Sequence, residues 1–474
     1  MRILLVSHNY LPAHTAGTEV YTAQLAKKLT ARGHSVCVFT TEKEISAEHM
    51  SLRERTHDGI RVFELINNLH YGSFRETWDE PRIDARFAAV LASFSPDVVH
   101  FQHLLYLSVG CVEKAHESNI PVVFTLHDFW LECARFGQRV HADSSICHKI
   151  EFGRCGECLT SFRYGQSPLQ RHTGNALAGL RSATGIDLGH TAVRMSRMLQ
   201  SHDVAHGAPV VDPVHAAEMA RQVALRDGDF RTRLVPRVDR FLSPSRFLRQ
   251  EFIRWGLEPE KIVFLRTGID LDTFRPRART SSEFLRVGFI GTLAPHKGPH
   301  LLLDAWAQLD PKLRARARLR LVGPAQHHPE YVRDLERRAA SVGAELAGPV
   351  TREGVAEELA RTDLLVVPSI WYENSPLVIL EALAARTPLL VSDIGGMAEL
   401  VEENVSGFRF AVGDVHALGQ RIADAIQNPA LLQGLYSAAE PIKRVDDDAA
   451  QLEELYFEAL ESARARVSSG ERRP

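Results

Sequence analysis

The run Pro368-Ser369-Ile370-Trp371-Tyr372-Glu373-Asn374-Ser375-Pro376-Leu377-Val378-Ile379-Leu380-Glu381-Ala382 sets two carboxylates on either side of a helix start. The apolar stretch before it reads as a buried strand, and a helix begins near Pro376. The backbone N–H groups of Ser375 to Val378 then lie at a helix N-terminus, where an anion such as a diphosphate is favoured. Glu373, in the loop, could meet a sugar hydroxyl. Glu381, about one and a half turns into the helix, could reach a ribose diol. A plainer account is a capped helix with surface carboxylates, which is common.

Four other groups of residues could do chemistry. In Gly288-Phe289-Ile290-Gly291-Thr292-Leu293-Ala294-Pro295-His296-Lys297-Gly298 a strand runs into a glycine-containing loop and a lysine precedes a helix. Gly291 lets a ligand approach the backbone closely, and Lys297 is a point charge suited to phosphate. Thr125-Leu126-His127-Asp128 ends an apolar strand, so His127 could contact a sugar, with Asp128 orienting it or capping a helix. His100 and His103 close another strand and could face the same cleft. Ala16-Gly17-Thr18-Glu19 could approach an acceptor or phosphates, unless Thr18 only caps the next helix. Cys133, Cys147, Cys155 and Cys158 read equally as a tetrahedral structural zinc site or as four free thiols, because their spacing is not that of a standard finger. Cys37 and Cys111 read as core residues.

The elements that position these residues follow a strand–helix alternation. Ile3 to Val6 is a continuous apolar run, as a strand buried on both faces should be. A helix over Val20 to Thr30 ends at Gly33, and strands follow at Val36–Thr40, Asp97–His100 and Pro121–Thr125. A second series takes strands at Phe241–Ser243, Ile262–Leu265, Arg286–Ile290, Arg318–Val322, Leu364–Val367 and Leu389–Ser392. This rhythm implies parallel sheets in an α/β fold, whose ligands sit at the carboxyl ends of the strands. Residues 1–238 form a first Rossmann-like domain carrying a Cys-rich and helical insert over about 133–235. Residues 239–440 form a second, and 441–474 hold a C-terminal helix, packing back on the first domain, and a disordered tail.

The chain has 474 residues, a formal net charge of −3, 45% hydrophobic and 24% charged residues. That balance is an ordinary globular one and argues against nucleic acid as the main partner, which needs a strong cationic field. No apolar run reaches the roughly 18 residues of a membrane span. The N-terminus reads as a strand, not a signal peptide, so the protein is expected in the cytoplasm with reduced cysteines.

The order of these motifs resembles the retaining glycosyltransferase family four, of the GT-B fold. The resemblance covers most of the chain and is weakest between about residues 160 and 235. Its most specific element is the pair Glu373 and Glu381 within Glu-Asn-Ser-Pro-Leu; Ser392-Asp393-Ile394-Gly395-Gly396-Met397 also matches. His127-Asp128-Phe129-Trp130 with Cys155-x-x-Cys158 resembles a subgroup found in bacterial surface-polysaccharide assembly. The resemblance implies two Rossmann-like domains facing across a cleft and transfer of a hexose-type sugar from a UDP-, GDP- or ADP-linked donor to a glycan or lipid-linked glycan, with no metal required for catalysis. Lys297 would contact the donor diphosphate, Glu373 the transferred sugar, Asn374, Ser375, Pro376 and Leu377 the sugar and phosphates through their backbone, and Glu381 the ribose. Gly291 and Thr292 would line the donor site. His127 would sit beside the transferred sugar, with Gly17, Thr18, Glu19 and His103 on the acceptor side.

Two departures stand out. Thr292 occupies the place where many members carry an arginine, which leaves Lys297 alone at the matched phosphate positions; Arg266 could supply the missing charge. Thr267 replaces the usual asparagine in Arg266-Thr267-Gly268-Ile269-Asp270. The rival readings are a nucleotide-sugar epimerase and a non-catalytic GT-B partner subunit. A dinucleotide-dependent oxidoreductase is disfavoured, because no Gly-x-Gly-x-x-Gly follows the first strand. The arginine-bearing region from about 171 to 254 reads as a solvated helical face or as a basic surface for peripheral contact with the inner face of the membrane.

Overall fold

The structure is a computed structural model that describes residues 1–189, 191, 211–278, 282–325, 329–436 and 441–468. The chain forms two units. The first takes Met1–Leu242, Ile253–Val263 and the C-terminal segment from Ala449; the second takes Ser243–Phe252 and Phe264–Asp448. The sequence reading joins its domains at 238–239 and 440–441. In the structure the chain also makes a short return to the first unit over Ile253–Val263.

The first unit is built on an eight-stranded sheet. Its strands are β1 (Arg2–Val6), β2 (Ser35–Glu42), β3 (Leu52–His57), β4 (Ile60–Ile66), β5 (Val98–Phe101), β6 (Val122–Thr125), β7 (Arg240–Ser243) and β8 (Ile262–Phe264), in the order β3-β4-β2-β1-β5-β6-β7-β8. The strand β1 is central, with Leu5 beside both Val38 and His100, and Ile3 to Val6 are fully buried, as their continuous apolar run requires. The pairs from β4 through β7 are parallel. The exception is β3, which runs antiparallel to β4. Asp58 and Gly59 both take positive φ in the turn between them, the hairpin signature of an Asp-Gly pair. The helix Gly17–Ala31 follows β1 and ends at Gly33, with φ of +89°. The terminal helix Val445–Ser468 brings Glu453 to His34 at 2.8 Å and Tyr456 to His100 at 2.6 Å.

The second unit is a six-stranded, wholly parallel sheet of β9 (Leu285–Ile290), β10 (Ala317–Val322), β11 (Glu345–Ala347), β12 (Leu364–Val367), β13 (Leu389–Ser392) and β14 (Gly407–Phe410), in the order β11-β10-β9-β12-β13-β14. Val287, Leu321, Leu364 and Leu390 of the sheet share one core with Trp306 and Ile422 of the covering helices. Both sheets are those of Rossmann-like α/β units. Ser245 caps the helix Arg246–Trp255 by accepting from Leu248 N–H at 3.0 Å.

Among the described residues no helix is long and apolar enough to cross a membrane. The helical region expected over 133–235 includes helices Phe152–Thr160, Pro168–Thr184 and Pro213–Asp229. Its middle, 192–210, lies outside the described residues, as do the end of the Arg275–Thr280 connector and the tail from 469.

Candidate functional site

In the second unit, three loops at the carboxyl ends of β9, β12 and β13 meet backbone to backbone. Ile370 N–H donates to His296 O at 2.9 Å, and Gly396 N–H donates to Glu373 O at 2.7 Å. Two glycines make this approach feasible. Gly298 has φ of +71°, and a Cβ there would stand 2.0 Å from Pro368 O; a Cβ on Gly396 would stand 1.7 Å from Asn374 O. The glycines flanking Lys297 and ending Ile394-Gly395-Gly396 therefore hold the Glu373 loop from two sides.

That contact brings Lys297 Nζ to Glu373 Oε1 at 2.5 Å. Ser369 Oγ donates to the same oxygen at 3.0 Å. Glu373 is only 7% exposed. Burial pushes its carboxyl up, but the charge and hydrogen bond of Lys297 outweigh it and hold the group below the usual range. Lys297 also lies over the Trp371 ring, 5.0 Å from its centroid. The reading of Glu373 and Glu381 as surface carboxylates is thus overturned for both, since Glu381 is 6% exposed.

Pro376 is the N-cap of the helix Leu377–Ala384, with no side-chain cap. The first N–H groups of a helix have no partner within it, so this end offers donors a few residues beyond Glu373 in sequence, as expected from the motif. Ser375 Oγ is buried and has no hydrogen-bond partner. Glu381, further along the helix, meets Arg352 Nη1 at 3.0 Å; burial raises its carboxyl despite that partner. Gly291 donates to Val322 O at 3.0 Å, and Thr292 O accepts from Ala294 N–H at 2.9 Å. Arg266 is not held as a spare charge. Its guanidinium donates to Glu399 at 3.1 Å, because Glu399 lies on the helix Gly395–Leu400 beside it.

In the first unit, the ends of β1, β5 and β6 bring together His8, Gln102, His103, His127 and Asp128. Leu105 N–H donates to His103 Nδ1 at 2.9 Å, so Nε2 carries the proton that His103 donates to Asp128, 3.0 Å away. Asp128 also accepts from Trp130 N–H at 2.7 Å, which fixes its turn. His127 Nε2 meets Gln102 Oε1 at 2.8 Å, while the Gln102 amide nitrogen faces His100 at 3.2 Å. Burial, with His103 beside it, pushes His127 down to about 3, so it is neutral at ordinary pH. A small cavity is lined by His103, Thr125, His127, Asp128 and Trp130. His100 lies outside it, fully buried between Tyr456 and Thr125.

Glu19 is 2% exposed and stands 3.3 Å from His8 Nε2. Burial raises its carboxyl. Gly17 begins the helix, whose N-cap is Ala16 with no side-chain bond. Thr18 therefore sits inside the first turn and does not cap it; its carbonyl accepts from Thr22 Oγ1 at 2.7 Å.

Cys133, Cys147 and Cys158 are buried, Cys155 is half-buried, and none of the four is in a disulfide. His141 Nδ1 lies 3.2 Å from Cys158 Sγ. Among the described residues no group of three or more His, Cys, Asp or Glu is arranged to hold a metal ion.

Sequence spacing did not reveal Ser369, Arg352, Gln102, His8 or Glu399. Each but Ser369, whose partner Glu373 lies four residues on, owes its place to contacts between segments far apart in the chain. Only Ser369 had a local sign, its position at the end of an apolar strand.

The family model described as Glycosyltransferase Family 4 matches residues 15–153 and 156–273, more than half of the chain. The chain belongs to glycosyltransferase family 4. A second model, Glycosyl transferases group 1, matches residues 272–441, the region that carries Lys297, Glu373 and Glu381. Among curated relatives of this family 4 chain, a D-inositol 3-phosphate glycosyltransferase of Streptomyces scabiei (strain 87.22) is 28% identical over 288 residues, 54% of this chain and 64% of the relative. The chain thus spans less than two thirds of that relative's length. The crystal structure of Anabaena Alr3699/HepE in complex with UDP and glucose matches with a TM-score of 0.59 at 18% identity, over 96% of this chain and 99% of that one. Sucrose-phosphate synthase from Thermosynechococcus elongatus matches with a TM-score of 0.61 at 18% identity, over 97% and 99%. At these identities the two structures bear on the fold alone: the GT-B fold of the glycosyltransferases.

Proposed function

We propose that this family 4 chain is a retaining glycosyltransferase that moves a hexose-type sugar from a nucleoside diphosphate sugar to a hydroxyl of a glycan or lipid-linked glycan. The observation that carries this reading is the Lys297–Glu373 pair, 2.5 Å apart, whose Glu373 lies in the loop that leads into the uncapped helix start at Leu377. Cation and helix N-terminus are both suited to phosphate oxygens, and the buried Glu373 carboxylate is suited to accept from sugar hydroxyls. Two names agree with it: the Streptomyces relative is called a D-inositol 3-phosphate glycosyltransferase, and HepE was crystallised with UDP and glucose.

In this reading the donor lies on the second unit. Its diphosphate takes Lys297 and the N–H groups of Ser375, Leu377 and Val378, and Glu381 holds the ribose. As the bond from the anomeric carbon to the phosphate oxygen breaks, negative charge grows on the leaving nucleoside diphosphate, where Lys297 and the helix end stabilise it. The acceptor hydroxyl attacks from the same face. A new carbon–oxygen bond forms and the hydroxyl proton passes to the departing phosphate, which retains the anomeric configuration. Neutral His127 gives its Nε2–H to Gln102, so toward a hydroxyl at the first unit's strand ends it can act only as an acceptor, through Nδ1. The proposed chemistry requires no metal.

A thermal-shift comparison of UDP, GDP and ADP with the wild type and Lys297→Ala tests the donor site. Stabilisation by one base series, lost in the variant, is expected. Equal stabilisation of the variant would remove Lys297 from the phosphate.

A further inference from the structure

Both carboxylate oxygens of Glu399 are engaged, each by a different stretch of the chain. Oε1 accepts from the Arg266 guanidinium at 3.1 Å, and Oε2 accepts from Phe247 N–H at 3.0 Å. Phe247 is in the first turn of the helix Arg246–Trp255. Glu399 therefore takes one of the N–H groups that this helix cannot satisfy itself, while Ser245 takes the next. The negative charge also suits that end of the helix. As a source of stability the ion pair is minor, because Glu399 keeps 17% and Arg266 31% of its side-chain surface exposed. Arg266 is anchored at its other end too. Its carbonyl accepts from Lys443 Nζ at 3.0 Å, and Lys443 pairs with the buried Asp448 at 2.6 Å.

The residue that Glu399 holds reaches the Glu373 loop directly. The Phe247 ring stacks on Tyr372, the residue before Glu373, with centroids 5.3 Å apart and planes 25° from parallel. Gly395 fits beside that stack. At its φ of +60°, a Cβ would stand 2.9 Å from Glu373 O and 3.4 Å from the nearest atom of each ring. Gly396 N–H donates to Glu373 O, and Glu399 follows in the same short helix, Gly395–Leu400. The contacts thus close a circuit: Phe247 with Tyr372, Glu373 with Gly396, and Glu399 with Phe247. In it Glu399 supplies a polar link between the helix Gly395–Leu400 and the helix Arg246–Trp255.

We propose that Glu399 is a positioning residue of sugar transfer. By fixing Phe247 against Tyr372 it sets the Glu373 loop, and with it the aim of the Glu373 carboxylate beside Lys297. It acts through these residues and not on the donor. This rests on the donor reading, since it gives Glu399 a part in orienting the group that holds the transferred sugar. The nucleoside diphosphate, held in that reading by Lys297, the helix start at Leu377 and Glu381, feels little of it. The signature is therefore a loss confined to the sugar part of the donor.

Calorimetric titration of the full chain with UDP, GDP and ADP, and with UDP-glucose, UDP-N-acetylglucosamine, GDP-mannose and ADP-glucose, separates the two parts. The readout is the ratio of nucleotide-sugar Kd to nucleotide Kd in the base series that the wild type binds. Glu399→Ala, and Phe247→Leu, which keeps an apolar side chain without the stack, should each raise that ratio about tenfold and leave the nucleotide Kd within about twofold. Glu399→Gln, whose amide oxygen still accepts from Phe247 N–H, should recover most of the difference. Combining Glu399→Ala with Phe247→Leu should raise the ratio little further, because both break one circuit. If Glu399→Ala does not fold, Phe247→Leu and Glu399→Gln decide the question. Equal weakening of nucleotide and nucleotide sugar, an unchanged ratio in a folded variant without the Phe247 contact, independent effects in the double variant, or a wild type that binds a nucleotide but none of its sugars overturns the positioning role. A wild type that binds no nucleotide overturns the donor reading itself, and this role with it.

Discussion

Lys297 and Glu373 stand 76 residues apart in the chain and 2.5 Å apart in space. The carboxylate is almost wholly buried, so its charge depends on the ammonium and on Ser369. Any phosphate that reaches Lys297 must share or replace that pairing, and a sugar on Glu373 would then meet a carboxylate already oriented.

Glu373→Gln keeps the shape and removes the charge. We expect sugar transfer to fall by about 100-fold, or about 2.7 kcal/mol. Stability carries a second signature. Because the folded carboxyl lies below its ordinary value, its stabilisation is complete above the unfolded value, about 4.3, and is lost as pH falls through the folded value. Melting temperatures from about pH 3 to 6 should show a steeper acid loss in the wild type than in the variant; equal slopes would contradict the pairing.

Glu381 titrates in the opposite sense. Its carboxyl lies above its ordinary value, so it favours the fold at low pH and this contribution disappears as pH rises through the folded value. Arg352→Met removes the guanidinium bonded to it. We expect about 1–2 kcal/mol of lost stability near neutral pH, less than a fully buried pair because Arg352 is partly exposed. UDP affinity should weaken about tenfold. Unchanged UDP affinity in a folded variant would separate Glu381 from the nucleotide.

Gly396→Ala puts a methyl group 1.7 Å from Asn374 O. The Glu373 loop must shift, at a cost of about 1–3 kcal/mol, and donor binding should weaken with it. Gly348→Ala, where a Cβ meets nothing within 4 Å, is the control. The same melting and titration measurements on both variants decide whether the contact positions the loop.

His127 should stay neutral down to about pH 4, as its burial demands. Gln102→Glu places a carboxylate where the amide oxygen now sits, 2.8 Å from Nε2, and should raise the imidazole's titration by about one pH unit or more. NMR titration of the ring resonances reads this directly. No change would mean that the Gln102 contact is not made in solution.

What the sequence exposed and what it hid follow from the range of each interaction. The stretch Leu364 to Ala382 reads correctly as strand, loop and helix because apolar continuity and a proline-led helix start are local patterns. The Asp58-Gly59 turn was equally local, yet the hairpin of β3 and β4 was passed over, since charged residues interrupt the alternation in Leu52–His57. Lys297 and Glu381 stood out by residue type, but the partner of each, Glu373 and Arg352, is set by loops that converge only in the folded sheet. Arg266 looked available for phosphate because nothing nearby in sequence opposes it; Glu399 lies 133 residues on. Thr18 resembled a cap because threonine often is one, whereas here the helix begins one residue earlier, at Gly17.

The return of the terminal helix to the first unit has a consequence for synthesis. Chains fold from the N-terminus as they emerge, but His100 reaches its Tyr456 partner only after the whole second unit has been made. Until then the nascent first unit exposes the face that Tyr456 and Glu453 later cover, and a ribosome-bound intermediate would present it to chaperones. Separating the first unit for study therefore calls for a rejoined chain, with residues 253–263 and 449–468 spliced back, rather than a stop codon after Leu242.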